Sequence, residues 1–218
     1  MIPDPKNEMV IGYNAAADRI EIQIGKPSGV ALDIGCNDGS GMQSLSARWQ
    51  DAHLYGLEPE SNYAAMARGK GFVVFCESAQ STGYVGESVD FIFSRHSLEH
   101  VPEPAKAIAE FHRILRPGGR AYFQIPIEPD GSPNDLHVSA FRTHAAVVAL
   151  FAQNLWKTLY WGPQETVVEI IVEKLFGQNR QAAVAEQYSD RPAACVSSGT
   201  AAQCPCPLSG QGKGVENV

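Results

Sequence analysis

No stretch of the chain approaches the ~20 consecutive apolar residues that a membrane-spanning helix needs, and the opening Met1-Ile2-Pro3-Asp4-Pro5 has no basic start leading into an apolar core. Positive charge is also short: 17 Lys and Arg stand against 24 Asp and Glu, a net charge of −7. Nucleic-acid surfaces depend on clustered Lys and Arg, so that class is not expected. Cysteine is sparse, odd in number and scattered, with five residues at 36, 76, 195, 204 and 206. That pattern reads as reduced thiols rather than a disulfide frame. Cys204-Pro205-Cys206 lacks a nearby His or second pair, and its one-residue spacing is unlike a zinc knuckle. Internal repeats are missing as well. These absences leave a cytoplasmic, soluble protein as the expectation, and 218 residues at 44% hydrophobic content suffice for one substantial core.

Short apolar runs separated by helical spacing are what is present. Val30–Ile34, Leu54–Leu57, Phe72–Phe75, Val89–Phe93 and Ala121–Ile125 read as strands buried on both faces. Between them, Met42, Leu45 and Trp49, then Tyr63, Ala64 and Ala67, then Ile108, Phe111, Ile114 and Leu115 fall at helical intervals, the last group behind Pro104. The alternation predicts a doubly wound, Rossmann-like α/β fold with helices on both faces of a mostly parallel sheet. Thr143–Asn154 reads as a helix. Trp156–Trp161 and Thr166–Val172 then follow as two successive strands, which predicts a final antiparallel hairpin. Tyr13–Ile24 reads as a helix covering the sheet edge, although Ile20, Ile22 and Ile24 alternate as a strand would. Pro126–Ser139, rich in Pro, Asp and Gly, is a long loop of the kind that often carries function. Boundaries follow: an N-terminal cap over 1–28, a domain over 29–177, and a tail over 178–218 whose Gly, Ser, Ala, Pro and Gln predict disorder.

The chemistry concentrates at Val30-Ala31-Leu32-Asp33-Ile34-Gly35-Cys36-Asn37-Asp38-Gly39, where a strand ends in an acid and breaks into glycines. Gly35 and Gly39 permit tight backbone and close approach of a ligand, and the helix that follows aims free amides into the same crevice. The glycines do not form the G-x-G-x-x-G of a dinucleotide site. Asp33 would repel a pyrophosphate and is suited to an ammonium group. Glu58 lies 19 residues beyond Gly39, close to the ~20-residue offset at which an acid reaches ribose hydroxyls.

Together with these, Gly56-Leu57-Glu58-Pro59, Ser94-Arg95-His96-Ser97-Leu98-Glu99-His100-Val101-Pro102 and Arg113-Ile114-Leu115-Arg116-Pro117-Gly118-Gly119-Arg120 give the chain a resemblance to the class I S-adenosylmethionine-dependent methyltransferases, in their type 11 branch. The resemblance runs from Val30 to Ile125 and implies a seven-stranded sheet with an antiparallel last strand, S-adenosyl-L-methionine as cofactor, and a small-molecule substrate accepting methyl on O, N or C. It places Asp33, Gly35, Cys36, Asn37 and Gly39 at the methionine end of the cofactor and Glu58, with Pro59, at the ribose. Ser78-Ala79 stands where the family carries Asp-Ala against the adenine, a departure that offers a neutral acceptor for a charged one. Ser94, Arg95 and His96 end the fourth strand, where ligands of open α/β sheets bind. His96 is a candidate base or acceptor contact. His137 stands between ligand and packing roles, and His100 between base and structural roles. No metal is expected. Two rival readings stay open: a non-catalytic methyltransferase-like binding protein, and an NAD-dependent oxidoreductase that shares the sheet and the ribose acid.

Overall fold

The computed structural model describes residues 5–131, 135–151 and 155–175; the tail expected over 178–218, with Cys195, Cys204 and Cys206, lies outside the described residues. In chain order the elements are α1 (Pro5–Ile24), β1 (Gly29–Ile34), α2 (Ser40–Arg48), β2 (Ala52–Leu57), α3 (Ser61–Gly69), β3 (Val73–Phe75), β4 (Val89–Arg95), a 3₁₀ turn (Leu98–His100), α4 (Pro104–Ile114), β5 (Leu115–Pro126), α5 (His144–Leu150), β6 (Trp156–Pro163) and β7 (Val167–Lys174). They form one seven-stranded sheet in the order β3-β2-β1-β4-β5-β7-β6. Strands β1 to β5 pair in parallel, and β7 inserts antiparallel between β5 and β6. The predicted doubly wound sheet and its terminal hairpin are what the chain forms.

Alternation along the central strands divides the core between two faces. Leu32, Ile34, Ile92, Phe123 and Ile170 pack on one side with Ile108, Phe111 and Ile114 of α4 and with Val147 of α5. Ala31, Phe91, Phe93, Tyr122 and Ile171 pack on the other with Leu45 and Trp49, beneath Tyr13, Ala16, Ala17 and Ile20 of α1. The first helix therefore covers the middle of a face spanning β1, β4, β5 and β7 and not a sheet edge. Its buried residues fall three and four apart, as a helix requires. Ile22, which suggested strand alternation, is 75% exposed.

The fifth strand starts earlier than its apolar run. Leu115 pairs with Val89 while Arg120 pairs with Phe91, so Pro117-Gly118-Gly119 is an irregular excursion inside the ladder, with Gly118 at φ +76°. Among the described residues no helix is long and apolar enough to cross a membrane.

The order of strands matters for position. The chain leaves β1 for β2 and β3 on one side, then returns to place β4 on the other side of β1. The loops after β1 and β4 consequently splay apart at a switch point, opening a crevice beyond the strand ends.

Candidate functional site

Asp33 and Ile34 end β1 in register with Gly56 and Leu57 of the adjacent β2, which brings Glu58 beside the loop that follows β1. The amides of Gly35 and Cys36 donate to the carbonyl of Leu57 at 2.8 and 3.2 Å, so the loop leaves the sheet still tied to its neighbour. Gly35 (φ +70°) and Gly39 (φ +78°) both adopt left-handed backbone. A Cβ on Gly35 would meet the Ser97 hydroxyl, and one on Gly39 would meet the side chain and backbone of Ala67. Glycine is needed at both for conformation and for space. Asn37 is left-handed too, at φ +51°.

Glu58 is the clasp of this loop. Its Oε2 accepts from the Asn37 amide at 2.9 Å and its Oε1 from the Glu60 amide at 3.0 Å. It is 6% exposed, so it is no solvated helix cap, and burial pushes its carboxyl above the usual range despite those two amides. Asp33 is fully buried and receives the Tyr13 hydroxyl, 3.1 Å from Oδ2. Burial pushes its carboxyl well up, Tyr13 opposes that, and the nearby Glu58 adds to it. Two acids thus flank one loop, both disfavouring negative charge.

Other residues of the loop face inward. The thiol of Cys36 is buried among Met42, Ala64, Ala67 and Val74, and burial holds it protonated, so the main chain of Cys36 is what borders the crevice. Asp38 accepts the Ser40 amide at 3.0 Å just ahead of α2 and pairs with Lys70 at 2.8 Å. Pro59 is exposed beyond the clasp. Ser78 is exposed and turns back to accept the Gln80 amide at 3.2 Å, while Ala79 is buried at the core margin.

Across the crevice Ser94 is buried at the end of β4. Arg95 turns toward α1, its guanidinium 5.9 Å from the Tyr13 ring centroid and packed where Gly12 has no side chain. Ser97 donates to the Ile34 carbonyl at 2.7 Å and so ties the β4 loop to β1. His96 is left-handed at φ +48°, with Nδ1 3.3 Å from Oε1 of Glu99. His100 and His137 come together as well, their rings 4.9 Å apart and nearly perpendicular. The structure therefore groups the candidates into a loop set (Asp33, Gly35, Asn37, Gly39, Glu58) and a histidine set (His96, His100, His137).

Sequence reasoning missed Tyr13 and Ser97 as site residues. The spacing of Tyr13, Ala16, Ala17 and Ile20 was the available signal, weakened because alanine carries little apolar weight. An apolar hollow of about 320 Å³ between α5 and the β6–β7 edge, lined by Val148, Phe151, Thr158, Trp161 and Ile170, contains none of the candidate residues.

Comparison with known proteins agrees with this arrangement. The family model described as a methyltransferase domain matches residues 32–123. The chain is 28% identical over 137 residues to phosphoethanolamine N-methyltransferase 2 of Caenorhabditis elegans, covering 60% of this chain and 30% of that protein. It is 31% identical over 117 residues to the ubiquinone biosynthesis O-methyltransferase of Aromatoleum aromaticum, covering 49% of this chain and 47% of that one. The chain thus spans less than half the length of these curated relatives. Among solved structures, geranyl diphosphate C-methyltransferase from Streptomyces coelicolor, crystallised with S-adenosyl-L-homocysteine, superposes with a TM-score of 0.63 at 13% identity, over 74% of this chain and 77% of that one. The strand order and the glycine loop agree with the family match, which sets a methyltransferase domain over residues 32–123.

Proposed function

We propose that the domain transfers a methyl group from S-adenosylmethionine to an oxygen, nitrogen or carbon of a small molecule. The observation that carries this reading is the pair of buried acids, Asp33 and Glu58, on either side of a left-handed glycine loop. Both carboxyls are pushed up by burial, so a ligand bearing positive charge relieves a cost that an anionic one would increase. S-adenosylmethionine carries an ammonium and a sulfonium, whereas a dinucleotide brings a pyrophosphate. That difference favours a methyl donor over the NAD-dependent reading.

In this proposal the backbone of Gly35, Cys36, Asn37 and Gly39 receives the amino-carboxylate end, with Asp33 beneath it. Each oxygen of Glu58 has one lone pair committed to a backbone amide and a second free for a ribose hydroxyl. Pro59, Ser78 and Ala79 border the adenine, and Ser94 and Arg95 support the opposite wall. The donor arrives with its methyl already activated, so alignment of the acceptor supplies much of the rate. His96 is the base where the acceptor must lose a proton, and His100 and His137 border the acceptor.

Calorimetry with S-adenosylmethionine, S-adenosylhomocysteine and NAD tests the cofactor. Micromolar binding of the first two with none of NAD is expected, and no binding of either at millimolar concentration removes the proposal. Movement of labelled methyl groups into an acceptor panel tests the reaction. Donor binding without transfer to any acceptor would favour the non-catalytic alternative.

A further inference from the structure

One cluster beside this crevice has a use that methyl transfer does not call on. Glu99, His100 and His137 each present one donor atom, all within 4.8 Å of one another. Glu99 is wholly buried, and among the described residues neither of its carboxylate oxygens accepts a hydrogen bond; Nδ1 of His96 approaches Oε1 at 3.3 Å without the geometry of one. A buried carboxylate left in this state is costly, and such a group calls for a missing partner.

The two imidazoles are already oriented from behind. Nδ1 of His137 meets Oε1 of Glu128 at 2.8 Å, and Nδ1 of His100 meets the carbonyl of Leu136 at 2.9 Å. An imidazole whose Nδ1–H is held by a carboxylate or a carbonyl is in the tautomer that leaves Nε2 as a lone-pair donor, the arrangement in which metal-bound histidines are usually held. The loop itself is fastened in place, since the Ser139 amide donates to the Glu99 carbonyl at 3.0 Å and the Ser139 hydroxyl to the Val101 carbonyl at 2.8 Å.

We infer that Glu99, His100 and His137 form a binding site for a divalent first-row transition ion of the zinc type. Two imidazoles and one carboxylate are a donor set suited to such ions, and three protein ligands leave coordination positions open. Ligands of a tetrahedral zinc lie about 3.3 Å apart, so the donors must close by roughly an ångström and a half. His100 is exposed, so its ring has room to tilt on the Leu136 hydrogen bond and close part of that distance. The ion neutralises Glu99 and pins the 135–139 loop to the 3₁₀ turn. Resting on the methyl-transfer reading, the open positions face an oxygen or nitrogen of the acceptor, and His100 and His137 then serve as ligands while His96 remains the base.

The test uses the full chain, stripped with a chelator and titrated with Zn²⁺ by calorimetry and with Co²⁺ by visible absorption. One ion per chain is expected, with Co²⁺ showing ligand-field bands and no thiolate-to-metal charge transfer, which separates this site from the cysteines of the chain. Glu99→Gln and His137→Ala should each weaken binding at least tenfold, and Glu128→Gln, which leaves all three ligands in place, by about 10–100-fold. Folding of each variant is verified by circular dichroism, and S-adenosylmethionine binding is measured separately on each. Absence of the ion from the wild type, a thiolate band, or unchanged affinity in folded Glu99→Gln and His137→Ala would overturn the site. Metal loss with donor binding retained tells this site apart from the cofactor assignment, which fails on its own titration.

Discussion

The hydroxyl of Tyr13 sits 3.1 Å from Oδ2 of Asp33, so a residue of the first helix closes over the acid that ends the first strand. Neither group is reached by solvent to any extent, at 3% and 0% exposure. Tyr13→Phe leaves a buried carboxylate without this donor. Stability should fall by about 1–3 kcal/mol at pH 8, by the cost of an unmade buried hydrogen bond. The loss should be smaller at pH 5 than at pH 8, because the hydroxyl favours the ionised carboxyl and burial pushes that ionisation to higher pH. Urea unfolding at the two pH values checks this; an equal loss at both would mean that the hydroxyl serves packing alone.

Asp33→Asn separates stability from binding. The folded-state carboxyl is pushed well above its usual value, so in the wild type ionisation costs native stability as pH rises from the unfolded value of about 3.9 toward the raised one. The variant should gain on the wild type as pH rises through that window, and the two should match near pH 4. Its affinity for S-adenosylmethionine should fall by about 1–3 kcal/mol through loss of a charge-assisted contact. Thermal melts and calorimetry read the two effects separately.

Glu58→Ala removes both the proposed ribose contact and the tie to the Asn37 and Glu60 amides. Donor affinity should drop by about 1–3 kcal/mol. Hydrogen exchange at the Asn37 amide should accelerate even without ligand. Unchanged affinity in a folded Glu58→Ala would assign the ribose elsewhere.

His112 governs part of the acid limb. Its ring packs against Trp156 at 5.1 Å, and burial, with Lys174 nearby, lowers its pKa to about 4. The unfolded chain binds this proton near pH 6.5 and the native chain does not, so stability is intact above that value. It is lost as pH falls from about 6.5 to about 4, by up to about 3 kcal/mol. His112→Leu should flatten this part of the pH–stability curve, as read by chemical unfolding.

Much of the frame was legible because the strands are buried on both sides, and continuous apolar runs such as Val30–Ile34 and Val89–Phe93 announce that burial directly. The position of the crevice was legible for the same reason, since Asp33 and Glu58 end two such runs. What stayed hidden depends on tertiary approach. Local pattern pointed to an edge for α1, because nothing near Tyr13 in sequence reveals Phe93, Tyr122 and Ile171 beneath it. The early start of β5 arises from Leu115 pairing with Val89, a partner 26 residues away across α4. The coupling of His137 to Glu128, and the isolation of Glu99, arise from a loop that folds back on the 3₁₀ turn through Ser139, and loops carry no periodic signal.

The position of α1 also bears on how the fold closes. The helix precedes every strand of the sheet in the chain, yet its seat includes Phe93, Tyr122 and Ile171, the last of them on β7, the final strand of the described residues. Until β7 slots between β5 and β6, Tyr13 has an incomplete floor and Asp33 an incomplete roof. The cover over Asp33 therefore depends on β7 as well as on the helix that supplies Tyr13.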